Sequence, residues 1–165
     1  MRATNHVSTD LLVSPFDASA GQVLALAQHA ETVGFNAVWT YDHMTGVIFD
    51  RKNSLDAFTV LGAIAASTQT VEIGPLVANM VNRHPVRLAL AMNTLQDLSG
   101  GRSILGLGGG ASPNSRFSRE QRALGVTLHD AATRSAMLIE TLEVCLLYTS
   151  PSPRDATLSR MPSSA

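Results

Sequence analysis

Two kinds of apolar pattern alternate along the chain. Short runs rich in β-branched and leucine residues predict buried strands, and longer stretches with apolar residues every three or four positions predict helices that pack one face on a core. Strands are predicted at residues 7–13, 36–42, 71–77 and 102–108. A helical stretch follows each strand, so the sequence predicts four consecutive β-α units.

Residues typical of helix ends delimit the helical stretches. The predicted starts are, in chain order, Ser19 or Asp17, Asn53 or Ser54, Pro85, and Asp130. The predicted ends of the first, third and last of these helices are Gly34, Gly100 and Val144. A loop rich in Gly, Ser, Pro and Asn and the segment SREQRALGV, residues 118–126, lie between the fourth strand and the last helix.

The regular alternation of strands and helices indicates an α/β fold with parallel strands joined by right-handed crossovers. Four such units can begin an open doubly wound sheet or form half of an eight-fold barrel. The periodicity alone leaves both architectures open.

Composition narrows the class of protein. With 45% hydrophobic and 15% charged residues the chain is globular. Twelve basic and thirteen acidic residues without long runs give no basic patch for nucleic acid. The longest apolar run, 57–66, is about half of the roughly 20 residues that a membrane span needs, so no membrane partner is expected. One cysteine, Cys145, and an N-terminus without an apolar core predict a cytoplasmic protein.

Asp42 and His43 are the first candidates for chemistry. They follow the second strand, at the edge of a parallel sheet where the carboxyl ends of the strands meet and active sites form. An imidazole there can transfer a proton near neutral pH, and the carboxylate can orient a polar ligand. Equally, Asp42 could cap the loop and His43 could be an ordinary surface histidine.

The second candidate is the glycine-rich loop GLGGGAS at 106–112, which contains Gly108, Gly109 and Gly110. Glycines at a strand end allow the backbone to approach a ligand closely. The loop also satisfies the G-x-G-x-x-A spacing of dinucleotide-binding turns, but no helix follows directly and three β-α units precede it, so this match is weak.

The third candidate is the polar segment between the third strand and Pro85. Asn79 could hydrogen-bond the edge of a ring, and Arg83 and His84 could contact an anion. Alternatively, Arg83 could pair with Asp97 and His84 could cap the helix. The other histidines have no ligand-like spacing, so no metal site is predicted.

Two segments together, GFNAVWTYDHM and IGPLVANMVNRHPVRLALAMNTLQDLSGGRSILGLGGG, closely resemble the luciferase-like monooxygenase superfamily of flavin- and coenzyme F420-dependent enzymes. The resemblance runs over about residues 7–144. It implies a (β/α)8 TIM barrel of which this chain supplies the first half, in the order β1-α1-β2-α2-β3-α3-β4-α4. It also implies an oxidoreductase that transfers hydride with coenzyme F420, or an FMN-dependent monooxygenase.

The resemblance further implies a set of site residues. Asp42 and His43 would lie beside the deazaflavin, with His43 acting in proton transfer. Leu76 and Val77 would form a bulge with a non-proline cis peptide against the ring. Gly108, Gly109 and Gly110 would pass close to the cofactor. The implied partners are a small-molecule substrate and, if the cofactor is FMN, a flavin reductase.

The last residues break the pattern. Cys145–Ala165 contains three prolines and many serines, and it resembles the translated read-through of a sequencing adapter. Residues 1–144 are therefore predicted to be a partial barrel domain and 145–165 a non-native or disordered tail. Unpaired edge strands would favour a homo-oligomer, and a non-catalytic half-barrel module is the alternative to an enzyme.

Overall fold

The computed structural model describes residues 7–149 of the 165-residue chain. Helices and strands alternate through these residues, and short 3-10 turns at Val47–Phe49 and Met80–Asn82 lie in two of the connections. The elements are, in chain order, β1 (Asp10–Val13), α1 (Ala20–Thr32), β2 (Ala37–Thr40), α2 (Ala57–Ser67), β3 (Glu72–Pro75), β4 (Ala78–Asn79), α3 (Pro85–Leu98), β5 (Leu107–Gly108), α4 (Ser118–Ala123) and α5 (Ala131–Thr149). Residues 150–165 of the predicted tail lie outside the described part of the chain.

The strands are parallel, and their order decides between the two predicted architectures. β1 pairs with β2 and β2 with β3, while β4 pairs with β5. The segment leading into β5 lies beside β3, because Ile104 N–H donates to the Ile73 carbonyl (2.8 Å). In a doubly wound sheet the fourth strand would lie beside the first. Sequential neighbours are the barrel arrangement, so the predicted half of a (β/α)8 barrel is confirmed.

All four predicted strands are shorter than the sequence indicated, and the third and fourth differ most. The third is divided into β3 and β4, and the fourth is reduced to β5 and a bridge between Ile73 and Ser103. Pro75 ends β3 because it has no N–H to donate to the ladder. Gly74 lets the next strand segment approach closely, since a Cβ at this position would overlap the Ile104 carbonyl oxygen.

Side-chain caps begin the first helices. Ser19 forms a capping box with Gln22 at the start of α1, as predicted from one of the two candidate positions. α2 is capped by Asp56, whose carboxylate accepts the Thr59 N–H (2.8 Å). The predicted caps Asn53 and Ser54 were wrong, because the Ser54 hydroxyl instead donates to the His43 carbonyl.

The last helix begins where the sequence predicted but ends later. Asp130 accepts the Thr133 N–H (2.8 Å), and this hydrogen bond lowers the pKa of Asp130. α5 runs to Thr149 instead of Val144. Cys145 is buried in the core, and burial raises the pKa of its thiol. Cys145 extends the buried face of α5, and this burial explains why the helix continues past the predicted end. The division of the chain at Val144 stays a prediction.

The core lies between the strands and the helices that cover them. Its buried side chains come from both layers and include Val13, Val38, Ile73, Leu61, Ile64, Leu88 and Leu95. Among residues 7–149, no helix combines the length and the apolar character that crossing a bilayer requires.

Arg102 joins helix and strand ends at the edge of the sheet where β3 begins. Its Nε donates to the Ser99 carbonyl (2.7 Å), and its two terminal nitrogens donate to the Val71 carbonyl (2.6 Å), the Ala65 carbonyl (3.0 Å) and both the carbonyl and the hydroxyl of Thr68. One guanidinium thus satisfies carbonyls at the ends of α2 and α3 and at the start of β3. This edge is opposite the carboxyl ends of the strands.

Arg102→Met should lower the free energy of unfolding by about 3 kcal/mol, because it removes five charge-assisted hydrogen bonds and leaves partly buried carbonyls without donors. Urea unfolding of the variant and the parent chain measures this loss. Arg87→Met, at an exposed position of α3, is the matched control. Equal unfolding midpoints for the two variants would contradict the assignment.

Glu31 makes a second junction at the same edge. Its Oε1 accepts the N–H groups of Gln69, Thr70 and Val71 and the Thr70 hydroxyl. Burial of the carboxylate raises its pKa, but the hydrogen bonds outweigh burial and hold the pKa of Glu31 below its ordinary value of 4.5. The charged carboxylate is therefore the form that stabilises the turn into β3.

The lowered pKa of Glu31 predicts a pH dependence of stability. The unfolded chain binds the proton more tightly at this group, so the stabilisation is present above about pH 4.5 and is lost as the pH falls further. Glu31→Gln should be less stable than the parent near neutral pH, and the difference should shrink in acid. Urea unfolding of both chains from neutral pH to below pH 4.5 measures the difference in stability. A difference that does not change with pH would refute the prediction.

Candidate active site

A cavity of about 470 Å³ opens at the carboxyl ends of the strands. It is lined by all eight residues expected to act in catalysis or to contact the cofactor: Asp42, His43, Leu76, Val77, Asn79, Gly108, Gly109 and Gly110. Arg83 and His84, the anion-binding candidates, do not line it. They come together because the ends of β2, β4 and β5 meet at one edge of the parallel sheet. The cavity also has walls that sequence reasoning missed, formed by Tyr41, Phe49, Ala111 and Phe117.

Asp42 is buried and fully engaged by protein donors. Arg83 forms a two-pronged ion pair with it, with Nη1 2.6 Å from Oδ2 and Nη2 2.8 Å from Oδ1. The backbone N–H of Asn79 donates to the same Oδ2 (2.8 Å), and the Asn82 amide donates to the Asp42 carbonyl. The Arg83 guanidinium lies over the Phe58 ring, 4.6 Å from its centroid. Arg83 therefore pairs with Asp42 and not with Asp97.

His43 contacts a buried carboxylate that the sequence did not point to. Its Nδ1 lies 2.8 Å from Oε2 of Glu120 in α4, and the Thr45 backbone N–H donates to Oε1 of the same carboxylate (2.7 Å). Glu120 is 4% exposed. The two residues are 77 positions apart, and no spacing rule joins residues across such a separation, so sequence reasoning had no signal for this pair.

Aromatic rings surround the His43 imidazole. Phe49 meets it edge-on with centroids 5.4 Å apart, and Phe117 lies nearly parallel to it at 6.2 Å. Phe16 and Tyr41 complete the group at 6.0 and 6.2 Å. The imidazole is thus held between apolar ring faces on one side and a carboxylate on the other.

The wall beside His43 is formed by the segment between β3 and β4. The peptide bond between Leu76 and Val77 is cis, at the position that the family resemblance indicated. Both side chains are 42% exposed although they are apolar. Asn79 follows in β4, and its Oδ1 accepts the Val81 N–H. Asn79 lines the cavity, and its NH2 group is a pure donor.

Gly108 ends β5, and Gly109 and Gly110 follow it. The structure constrains the three positions differently. A Cβ on Gly108 would lie 2.6 Å from a Val77 methyl carbon, so this glycine accommodates the Leu76–Val77 segment. Gly110 has φ +76°, a conformation that favours glycine, and its carbonyl accepts a hydrogen bond from Arg134. A Cβ on Gly109 would meet its nearest neighbour, the Arg134 carbonyl oxygen, at 3.9 Å, so contacts within the chain do not require glycine there.

Two further residues named from the sequence, His84 and Asp17, hold local backbone structure outside the cavity. His84 caps α3 through Nδ1, which accepts the Val86 N–H, as one of the two alternatives predicted. Asp17 joins the loop after β1 to residues 52 and 53, and the hydrogen bond from Asn53 N–H lowers its pKa. In the described part of the chain, no three acidic, histidine or cysteine side chains are grouped as metal ligands.

The sequence matches the model of the family described as luciferase-like monooxygenase over residues 2–155. The chain belongs to this family. Among curated relatives, the F420-dependent glucose-6-phosphate dehydrogenase of Beutenbergia cavernae is 33% identical over 151 residues, which are 85% of this chain and 43% of that protein. The chain spans less than half of the length of the curated relatives it matches.

Solved structures of family members share the fold of this chain. An F420-dependent secondary alcohol dehydrogenase, solved with an F420–acetone adduct, has a TM-score of 0.75 and 26% identity over 88% of this chain and 43% of that one. The monooxygenase RslO1 from Streptomyces bottropensis has a TM-score of 0.65 and 27% identity over 83% of this chain and 41% of that one. The luciferase-like fold thus extends across members with different chemistry.

Asp42→Asn should lower the free energy of unfolding by about 3 kcal/mol, because the mostly buried Arg83 guanidinium loses its charged partner. Asp97→Asn, the same substitution at the exposed residue that sequence reasoning offered as an alternative partner, should change it by less than about 0.5 kcal/mol. Urea unfolding of both variants tests the pair. A small effect at Asp42 would show that the ion pair does not hold this edge together.

Proposed function

We propose that this chain forms part of the active site of an oxidoreductase that transfers hydride between coenzyme F420 and a small-molecule substrate. The observation that carries the proposal is the convergence of the eight nominated residues on one cavity. The identity to an F420-dependent glucose-6-phosphate dehydrogenase and the structural similarity to an F420-dependent alcohol dehydrogenase support the choice of cofactor.

The cavity has the chemistry that a flat heterocycle requires. Leu76 and Val77 present exposed aliphatic groups on one wall, and the Phe49 and Phe117 rings line another. Apolar groups of this kind can pack on the faces of a ring system. The NH2 group of Asn79 can donate to a carbonyl oxygen at the ring edge, in line with the hydrogen bond expected from the sequence. Gly108, Gly109 and Gly110 would lie along the ring.

The bound coenzyme would supply hydride transfer at C5 of its deazaflavin ring. His43 would accept a proton from a substrate hydroxyl during oxidation and return it during reduction, because it is the one titratable imidazole on the cavity wall within the described residues. Both Asp42 oxygens are engaged by Arg83 and Asn79. We therefore assign Asp42 a positioning role, in place of the direct ligand contact first expected.

The second candidate is an FMN-dependent monooxygenase, which the similarity to the monooxygenase RslO1 favours. The same walls would then face the isoalloxazine ring, and a separate flavin reductase would supply the reduced cofactor. A cytoplasmic location, a homo-oligomer and the alternative of a non-catalytic half-barrel stay predictions from the sequence.

Asn79→Asp tests the cofactor assignment. The carboxylate keeps the size of the side chain and can still accept the Val81 N–H, but it has no donor for a ring carbonyl. We expect the parent chain to bind coenzyme F420 more tightly than FMN, and the variant to bind F420 at least about tenfold more weakly. Fluorescence titration with each cofactor measures both affinities, and urea unfolding of the same samples shows whether the fold is retained.

Asn114→Asp in the exposed loop before α4 is the matched control and should bind F420 like the parent chain. Tighter binding of FMN than of F420 would favour the monooxygenase candidate. Binding of neither cofactor would count against both candidates.

A further inference from the structure

Glu120 is a buried charged group with a defined pair of partners at the candidate active site. It is 4% exposed, belongs to the six-residue helix α4, and does not itself line the cavity. Its two carboxylate oxygens are divided between the Thr45 backbone N–H and the Nδ1 atom of His43. We propose that Glu120 is a positioning residue that fixes the tautomer of His43, a proposal that rests on the proton-transfer role assigned to His43 above.

The hydrogen bonds determine which nitrogen carries the proton. An ionised carboxylate offers only acceptors, so the Nδ1 atom facing Glu120 must be the donor when the imidazole is neutral. The proton then resides on Nδ1, and Nε2 carries the free lone pair. The hydrogen bond made by one ring nitrogen thus sets the chemistry of the other.

The Thr45 backbone fixes the carboxylate in turn. A backbone N–H can only donate, so Oε1 of Glu120 must accept from it at 2.7 Å. This contact leaves Oε2 for His43 and ties the loop after β2 to α4. The arrangement therefore holds both the ring orientation and the tautomer, while the Phe49 and Phe117 rings restrict the ring from the sides.

The tautomer matters for the direction of proton transfer. In oxidation of an alcohol, the hydroxyl proton would pass to Nε2 of His43, the C–H bond would give its hydride to the coenzyme, and a carbonyl would form from the remaining electrons. The imidazolium would keep its Nδ1 proton against Glu120, whose negative charge stabilises it. Reduction would run the same transfers backwards, with the Nε2 proton returning to oxygen.

Glu120→Gln tests this assignment because it preserves the size of the side chain but exchanges donor and acceptor in the contact with His43. The single carbonyl oxygen of Gln must accept from the Thr45 N–H, so its NH2 group faces His43 Nδ1. Nδ1 then becomes the acceptor, and the proton moves to Nε2. We expect the ratio of the two His43 tautomers to change by about tenfold or more in favour of the Nε2 form.

The readout is ¹⁵N NMR of the histidine rings in the full chain without cofactor, at a pH where imidazole is neutral. The His43 signals are assigned by their absence in His43→Gln, and the exposed His29 serves as an internal reference. Glu143→Gln, at an exposed position of α5, is the matched control and should leave the His43 signals unchanged. The parent chain should show a protonated Nδ1 and an unprotonated Nε2.

A parent chain with the His43 proton on Nε2 would overturn the proposal, as would a folded Glu120→Gln variant with the parent's tautomer. If the variant fails to fold, the parent spectrum alone still decides. The result is also separable from the cofactor assignment. A chain that binds neither F420 nor FMN but carries the Nδ1 proton would refute the proposed function and leave the role of Glu120 in setting the tautomer intact.

Discussion

The candidate site depends on the hydrogen bonds and the ion pair that the buried Asp42 carboxylate makes. Asp42 follows β2 directly, and its bonds to Arg83 and to the Asn79 backbone connect the end of that strand to the whole segment between β4 and α3. A charge removed from water needs such a set of donors to be stable. Because the donors come from the neighbouring β-α connection, satisfying Asp42 also sets the distance between two walls of the cavity.

The sequence predicted the elements whose signals are local. Apolar periodicity located the β-α units, and the position of residues after a strand identified Asp42 and His43. Parallel strands place all their carboxyl ends together, which explains why the eight residues converge on one edge. This part of the site was predictable because it depends on topology and not on the details of packing. Leu76 and Val77 were indicated only by the family resemblance.

The parts that sequence reasoning missed depend on contacts between distant loops. The pairing of Arg83 with Asp42 spans 41 positions and that of His43 with Glu120 spans 77. Several acidic residues could have faced Arg83 or His43, and only the folded backbone selects among them. The end of α5 was missed for a similar reason, because the burial of Cys145 against the core is a tertiary effect that outweighs the local loss of pattern.

The short helix α4 has an unusual distribution of burial with a thermodynamic consequence. Its buried residues are the polar Ser118, Glu120 and Gln121, while the Leu124 side chain beside it is half exposed. Within α4, Glu120 makes the hydrogen bonds to the site, through His43 and the Thr45 backbone. Docking of α4 is thus linked to the state of His43. The Glu120 carboxylate stabilises a charged imidazole more than a neutral one. Protonation of His43 and docking of α4 therefore stabilise each other, each by the same free energy.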